Sequence, residues 1–206
     1  MGDETGDDRF QIAFAPRDGY GSNPDLLAMS GHVPLFRGDI LTLVEEEVCL
    51  PDGRRFRMQI ARHPGGAAVA AVDEGLRVCL LRQYRHVAGG RLWELPAGKL
   101  DPNERPRATA RRELQEETGL RAARWRPLGI VHSSPGVFSE VIHLFLATEL
   151  SAGPSARQAD EDIEVHWVEL GRALDWAADG TITDAKTIAG LLRAHAALQA
   201  GGPHRR

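Results

Sequence analysis

Apolar residues in this chain fall in short runs separated by glycine, proline and charged breaks, and the spacing within each run predicts an element. Residues 1–30 are rich in Gly, Asp, Ser and Pro, show little periodicity and read as a loosely held arm. From residue 31 to 62 the pattern becomes that of strands. ILTLVEEEVCL (40–50) and RRFRMQIAR (54–62) predict two of them, joined at the turn sequence Pro51-Asp52-Gly53, with a further short strand at Val33–Arg37. Two or three strands alone make a marginal unit, so this small antiparallel sheet needs a covering surface.

His63-Pro64-Gly65-Gly66 marks a boundary, and a larger domain is expected over 63–200. AAVAAVDE (67–74) reads as a buried strand and Leu76–Tyr84 as the next, with a turn at Asp73-Glu74-Gly75. LWEL (92–95) is a short extended piece, followed by a Pro96-Ala97-Gly98 turn and a helix from about Arg105 to Thr118. Pro106 suits a first helical turn, and Gly119 sits where a left-handed residue ends one. Further strands are predicted at Arg124–His132, Val141–Thr148 and Glu164–Glu169, with the polar linker SAGPSARQADED (151–162) before the last. LGRALDWAADG (170–180) and TDAKTIAGLLRAHAALQ (183–199) carry apolar residues at helical spacing, and residues 201–206 form a tail. Strands around one central helix and two closing helices predict an α/β sandwich.

Composition narrows the function classes. The 206 residues are 42 % hydrophobic and 26 % charged, ordinary values for a globular chain that buries a core. A net charge of −4 argues against bulk binding to nucleic acid. No run of about 18 apolar residues exists to span a membrane, and the acidic N-terminus lacks the pattern of a signal peptide. Cys49 and Cys79 make neither a disulfide framework nor a zinc motif, so a cytoplasmic setting is expected.

The chemistry concentrates in LPAGKLDPNERPRATARRELQEETGL, residues 95–120. Glu113, Glu116 and Glu117 stand at i, i+3 and i+4 and share one helix face, with Glu104 in the lead-in. Like charges so placed cost a helix roughly 0.2–0.5 kcal/mol per pair. A clustering that opposes its own helix points to a cation, and hard divalent ions take carboxylates, waters and substrate phosphates as ligands.

The stretch fills every specified position of Gly98-x5-Glu104-x7-Arg112-Glu113-Leu114-x-Glu116-Glu117-x-Gly119-Leu120. That is the Nudix box, and the chain resembles a Nudix hydrolase. The resemblance implies a Nudix-type α/β/α sandwich with a mixed sheet, preceded here by the small antiparallel sheet. It implies Mg²⁺-dependent attack of water on a phosphoanhydride, with Mn²⁺ as the alternative ion. The Ala97 carbonyl, Glu113, Glu116 and Glu117 are then the metal ligands, with Glu104 and Arg112 supporting them.

Residues outside the box point to a branch. WELPAG, with Glu94, and QYRH, Gln83–His86, resemble the branch acting on ADP-sugars. Pro135, sixteen residues beyond Gly119, is similar to the marker of ADP-ribose pyrophosphatases. By the same resemblance Arg85 binds the substrate diphosphate, and Arg57 on the small sheet contacts substrate, reaching a partner subunit's site. Glu161 in the acidic linker is the chosen general base; Asp160, Asp162 and, within the box, Glu116 stay open for that role. The expected substrate is ADP-ribose or a similar nucleotide sugar, cleaved to AMP and ribose 5-phosphate. GDP-sugars, NADH and dinucleoside polyphosphates stay open as substrates, and a non-catalytic nucleotide-binding module is the reading from another class. A homodimer through the N-terminal sheet is also expected.

Overall fold

The computed structural model describes residues 32–50, 52–153 and 162–200. The arm, Pro51, residues 154–161 of the linker with Asp160 and Glu161, and the tail lie outside the described residues. The chain divides into two compact units, one of residues up to His63 with Gly136–Phe138, the other of Pro64–Pro135 and the chain from Ser139 onward.

The first unit is an antiparallel sheet of β1 (His32–Arg37), β2 (Thr42–Cys49) and β3 (Arg55–Arg62), in that order. β2 and β3 pair without interruption from Thr42 opposite Arg62 to Cys49 opposite Arg55. The turn between them needs Gly53, whose φ of 85° a side chain would strain. The Ala61 N–H donates to the Val137 carbonyl at 2.8 Å, and the His63 and Phe138 rings lie 5.2 Å apart, which ties Gly136–Phe138 to this sheet. Val44 and Ile60 are its buried apolar residues, beside a buried Glu46 that pairs with Arg62.

Among the described residues, the second unit has two sheets and three helices. Its strands are β4 (Gly66–Ala71), β5 (Arg77–Arg85), β6 (Gly90–Glu94), β7 (Ala97–Lys99), β8 (Leu120–His132), β9 (Val141–Ala152) and β10 (Ile163–Glu169). Its helices are α1 (Pro106–Thr118), α2 (Leu170–Asp179) and α3 (Ala185–Ala200), with a 3-10 turn at His86–Ala88. One sheet runs β7-β4-β9-β8, with β4 and β9 parallel and the other pairs antiparallel; the other is antiparallel, β10-β5-β6.

Alternation along the strands sorts the core into two layers. Ala68, Ala70, Leu144 and Leu146 join Ala173 of α2 and Leu191 and Ala194 of α3 on one side. Ala67, Val69, Ala71, Phe145 and Ala147 join Ala110 and Leu114 of α1 on the other. This is the α/β/α sandwich with a mixed sheet that the sequence predicts. β4 is buried along its whole length because it is covered on both faces, which is why AAVAAV shows no polar alternation.

A missed strand and two strand ends are the largest departures from the sequence reading. β7 was hidden because three residues are too few to show a period. β8 starts at Leu120 rather than Arg124, and β9 runs on to Ala152 rather than stopping at Thr148. The extension is made by pairing Leu120 with Ala152, Arg121 with Ser151 and Ala122 with Leu150. Backbone hydrogen bonds supplied by a partner strand need no apolar pattern in either strand. Among the described residues no helix is long and apolar enough to cross a membrane.

α1 follows its sequence signals: Pro106 stands at the first position, and Gly119 closes the helix at φ 70°, its N–H donating to the Gln115 carbonyl. Leu114, fully buried, fastens this helix to the sheet. Leu114→Ala should cost about 2–5 kcal/mol by deleting buried methyl groups and leaving a cavity. Denaturant unfolding of the two proteins checks this.

Candidate active site

β7 and α1 face one another across the carboxylate cluster. β7 lies along β4, with Ala97 opposite Ala68 and Gly98 opposite Ala67. The Pro96 carbonyl accepts the N–H of Val69, which holds the turn entering β7. The Glu117 side chain, only 5 % exposed, accepts the N–H of Ala97 at 2.9 Å. Glu113 lies against Gly98: a Cβ there would come within 2.0 Å of Glu113 Oε1. Gly98 is therefore glycine because its side-chain space is taken by a carboxylate of the facing helix.

Arg112 holds the remaining carboxylates. Its Nε and Nη2 donate to Glu104 at 3.1 and 2.9 Å, and Nη1 donates to Glu113 at 2.7 Å and Glu116 at 3.1 Å. Nη2 also reaches the Lys99 carbonyl at 3.2 Å, so every N–H of the guanidinium has an acceptor. The Arg112 hydrogen bond is the main cause that lowers the Glu104 pKa to about 2, against the opposing effect of burial, and hydrogen bonds from Thr109 and the Asp101 N–H add to the lowering. Glu104 in turn raises the pKa of Arg112, so both stay charged.

Arg85, Glu94 and Lys186 form a second polar cluster. Arg85 ends β5, and its Nε and Nη2 donate to Glu94 of β6 at 2.7 and 2.9 Å, a bidentate pair. Glu94 is 2 % exposed, and Lys186 of α3 donates to its Oε2 at 2.7 Å. Burial alone would raise the Glu94 pKa, but Arg85 and Lys186 outweigh it and hold it at about 2. The Glu94 hydrogen bond raises the Arg85 pKa against the effect of burial, and the charges of Glu94, Glu117 and Asp184 add to the rise. Arg85 thus feels the charge of the box carboxylate Glu117.

The site residues read from the sequence do not all come together. Ala97, Glu104, Arg112, Glu113, Glu116 and Glu117 are joined by the hydrogen bonds and close approach above, and Arg85 pairs with Glu94. Pro135 stands in an exposed turn after β8. Arg57 lies on β3 in the first unit, exposed and paired with Glu45 at 3.1 Å. Glu161 and Asp160 fall outside the described residues, and Asp162 is ion-paired with Arg91. Lys186, Asp184 and Arg91 did not stand out in the sequence. Asp184, which accepts the Thr187 N–H at the start of α3, carries a cap signal, but Lys186 looks like any lysine on an amphipathic helix.

The donor set can be tested for a metal. Among the described residues no three His, Cys, Asp or Glu side chains already converge as a metal cage. The available donors are carboxylate oxygens and the Ala97 carbonyl, the hard ligands that Mg²⁺ or Mn²⁺ prefers. Gly98 also leaves the turn open to Glu113. The residues fit a divalent ion that keeps several waters.

A complete carboxylate box on α1, facing a glycine turn within an α/β/α sandwich, defines a class of phosphoanhydride hydrolases. Residues 62–191 match the NUDIX domain family, and the chain belongs to that family as a pyrophosphohydrolase. An ADP-ribose pyrophosphatase of Bacillus subtilis (strain 168) is 39 % identical over 74 % of this chain and 84 % of that protein. Another from Mycobacterium tuberculosis (strain ATCC 25618 / H37Rv) is 37 % identical over 79 % of this chain and 80 % of its own length. A GDP-mannose pyrophosphatase of Citrobacter koseri (strain ATCC BAA-895 / CDC 4225-83 / SGSC4696) is 36 % identical over 65 % of this chain and 75 % of its length. The crystal structure of an ADP compounds hydrolase shares the fold, with a TM-score of 0.73 at 21 % identity, over 85 % of this chain and 95 % of that one.

Two outcomes follow from the geometry. Gly98→Ala should push Glu113 aside and weaken divalent-ion binding by at least about tenfold; titration of Mn²⁺ by electron paramagnetic resonance reads this directly. Glu94 contributes stability that is complete above its ordinary pKa of 4.5 and is lost as pH falls toward about 2. A shift of this size is on the order of 3 kcal/mol. Unfolding measured at several pH values should therefore show a smaller acid loss in Glu94→Gln than in the wild type.

Proposed function

We propose that this protein hydrolyses the diphosphate of ADP-ribose, or of a similar nucleotide sugar, to AMP and ribose 5-phosphate. The observation that carries the reading is the complete box docked on the Ala97–Gly98 turn, with the Arg85–Glu94 pair within reach of the Glu117 charge. Similarity to the two ADP-ribose pyrophosphatases supports the choice of ADP-ribose.

The Ala97 carbonyl, Glu113, Glu116 and Glu117 would hold Mg²⁺, or Mn²⁺ in its place. The ion supplies charge neutralisation at the diphosphate and a lowered pKa for water. Arg85 uses Nε and Nη2 on Glu94, which leaves the Nη1 side of its guanidinium for a diphosphate oxygen. The water oxygen bonds to a phosphorus, the bridging P–O bond breaks, and the water proton passes to a carboxylate. Glu161 is the proposed base, with Glu116 the alternative; Asp162, engaged by Arg91, is less suited. Pro135 would line the substrate side, and Arg57 would serve the site of a partner subunit. Val33, Leu35, Phe36 and Phe56 are exposed apolar residues of the small sheet and support a homodimer formed through it. The low content of two cysteines agrees with a reducing, cytoplasmic setting.

Incubation with Mg²⁺ and ADP-ribose should yield AMP. A parallel panel of a GDP-sugar, NADH and a dinucleoside polyphosphate tests the substrate, and turnover of a GDP-sugar alone would favour the Citrobacter relative's specificity. Glu117→Gln should lower kcat by at least about 100-fold, equivalent to about 2.8 kcal/mol of barrier. Sedimentation as a stable monomer would remove the dimer.

A further inference from the structure

The N-terminal half of α3 is fastened to Glu94 and Leu95 at three points. Thr187, fully buried, accepts the Leu95 N–H at 2.8 Å and donates its hydroxyl to Asp184 Oδ2 at 2.5 Å. Leu95 packs so closely on α3 that a Cβ at Gly190 would lie 2.5 Å from its Cδ1. Lys186 donates to Glu94 Oε2 at 2.7 Å and to Asp184 Oδ1 at 3.0 Å. Leu95 is also the residue between Glu94 and the turn that carries Ala97.

Lys186 is 15 % exposed and is therefore held well inside the protein. It has no role in the reading above, yet its position is costly unless paired, since a buried ammonium loses its hydration. The geometry points to Lys186 as a positioning residue that sets Arg85 for the substrate diphosphate by fixing the Glu94 carboxylate between them. This rests on the reading that Arg85 binds the diphosphate.

Two physical effects support the assignment. The first is orientation. Glu94 Oε2 accepts from both Arg85 Nη2 and Lys186 Nζ, and Oε1 accepts from Arg85 Nε. Three donors at fixed angles determine the carboxylate plane, and a bidentate pair then determines the guanidinium plane. Lys186 is itself held by Asp184, which the α3 backbone anchors through the Thr187 N–H. The second effect is charge. With Arg85 alone, Glu94 would neutralise the one cation meant for the diphosphate. Lys186 takes part of the Glu94 charge and Asp184 in turn balances Lys186, so the buried carboxylate does not rest on Arg85 alone.

Misplacement of a binding group is felt strongly at such sites. Lys186→Met should raise KM for ADP-ribose about tenfold while kcat changes less than about twofold, and Lys186→Arg should restore KM to within about threefold. In an Arg85→Ala background, Lys186→Met should add less than about twofold. Binding of inorganic pyrophosphate to the metal-free protein, measured by calorimetry, should weaken about tenfold in Lys186→Met. That readout needs no turnover, so it stands even if ADP-ribose proves not to be a substrate, an outcome that would remove the substrate reading alone.

An unchanged KM and an unchanged pyrophosphate affinity in Lys186→Met would overturn the proposal. So would a full tenfold loss persisting without Arg85, because Lys186 would then act by another route. If Arg85→Ala itself leaves KM and pyrophosphate binding intact, the role of Arg85 falls and this inference falls with it. Should Lys186→Met fail to fold, Asp184→Asn keeps an oxygen to accept the Thr187 N–H while loosening Lys186. It should raise KM in the same sense, and an unchanged KM would count against the inference equally.

Discussion

Two carboxylates of α1 meet the backbone of the Ala97–Gly98 turn, and the geometry of the site depends on that meeting. Glu117 accepts the Ala97 N–H while nearly fully buried, and Glu113 occupies the room that any side chain at residue 98 would need. The helix cannot slide or rotate on the sheet without breaking the first contact or opening the second. Leu114, between them in sequence, is buried in the layer below. One helix face thus packs the core and an adjacent face carries charge, as the 3.6-residue period allows.

This arrangement would repel itself without Arg112. A single planar guanidinium reaches Glu104, Glu113, Glu116 and the Lys99 carbonyl, and its charge offsets part of the negative field on α1. A lysine offers a point charge and could not span these acceptors in one plane. The Arg85–Glu94–Lys186–Asp184 cluster solves a related problem differently. There a carboxylate is buried first and then surrounded by cations from β5 and α3, so that burial and charge are compatible.

The sandwich supplies rigidity rather than chemistry. A structure at 21 % identity shares this fold, so the architecture tolerates wide change in sequence. In the proposed reading the chemistry rests on a handful of side chains held by β7, α1 and α3.

Sequence alone determined α1 to within one residue, through Pro106 in its first turn and Gly119 after its end, and the carboxylates at 113, 116 and 117, because these are local: a helix period, a proline and a glycine. It also determined the buried character of β4, since only a strand covered on both faces has an unbroken apolar run. Tertiary structure decided what lies far apart in the chain. The extra pairs that lengthen β8 and β9, the three-residue β7, and the bonding of Lys186 to Glu94 across 92 residues leave no periodic trace. Gly98 was legible as a required glycine. That the room it leaves belongs to Glu113 depends on how the helix docks, and docking is set by packing that no local pattern records.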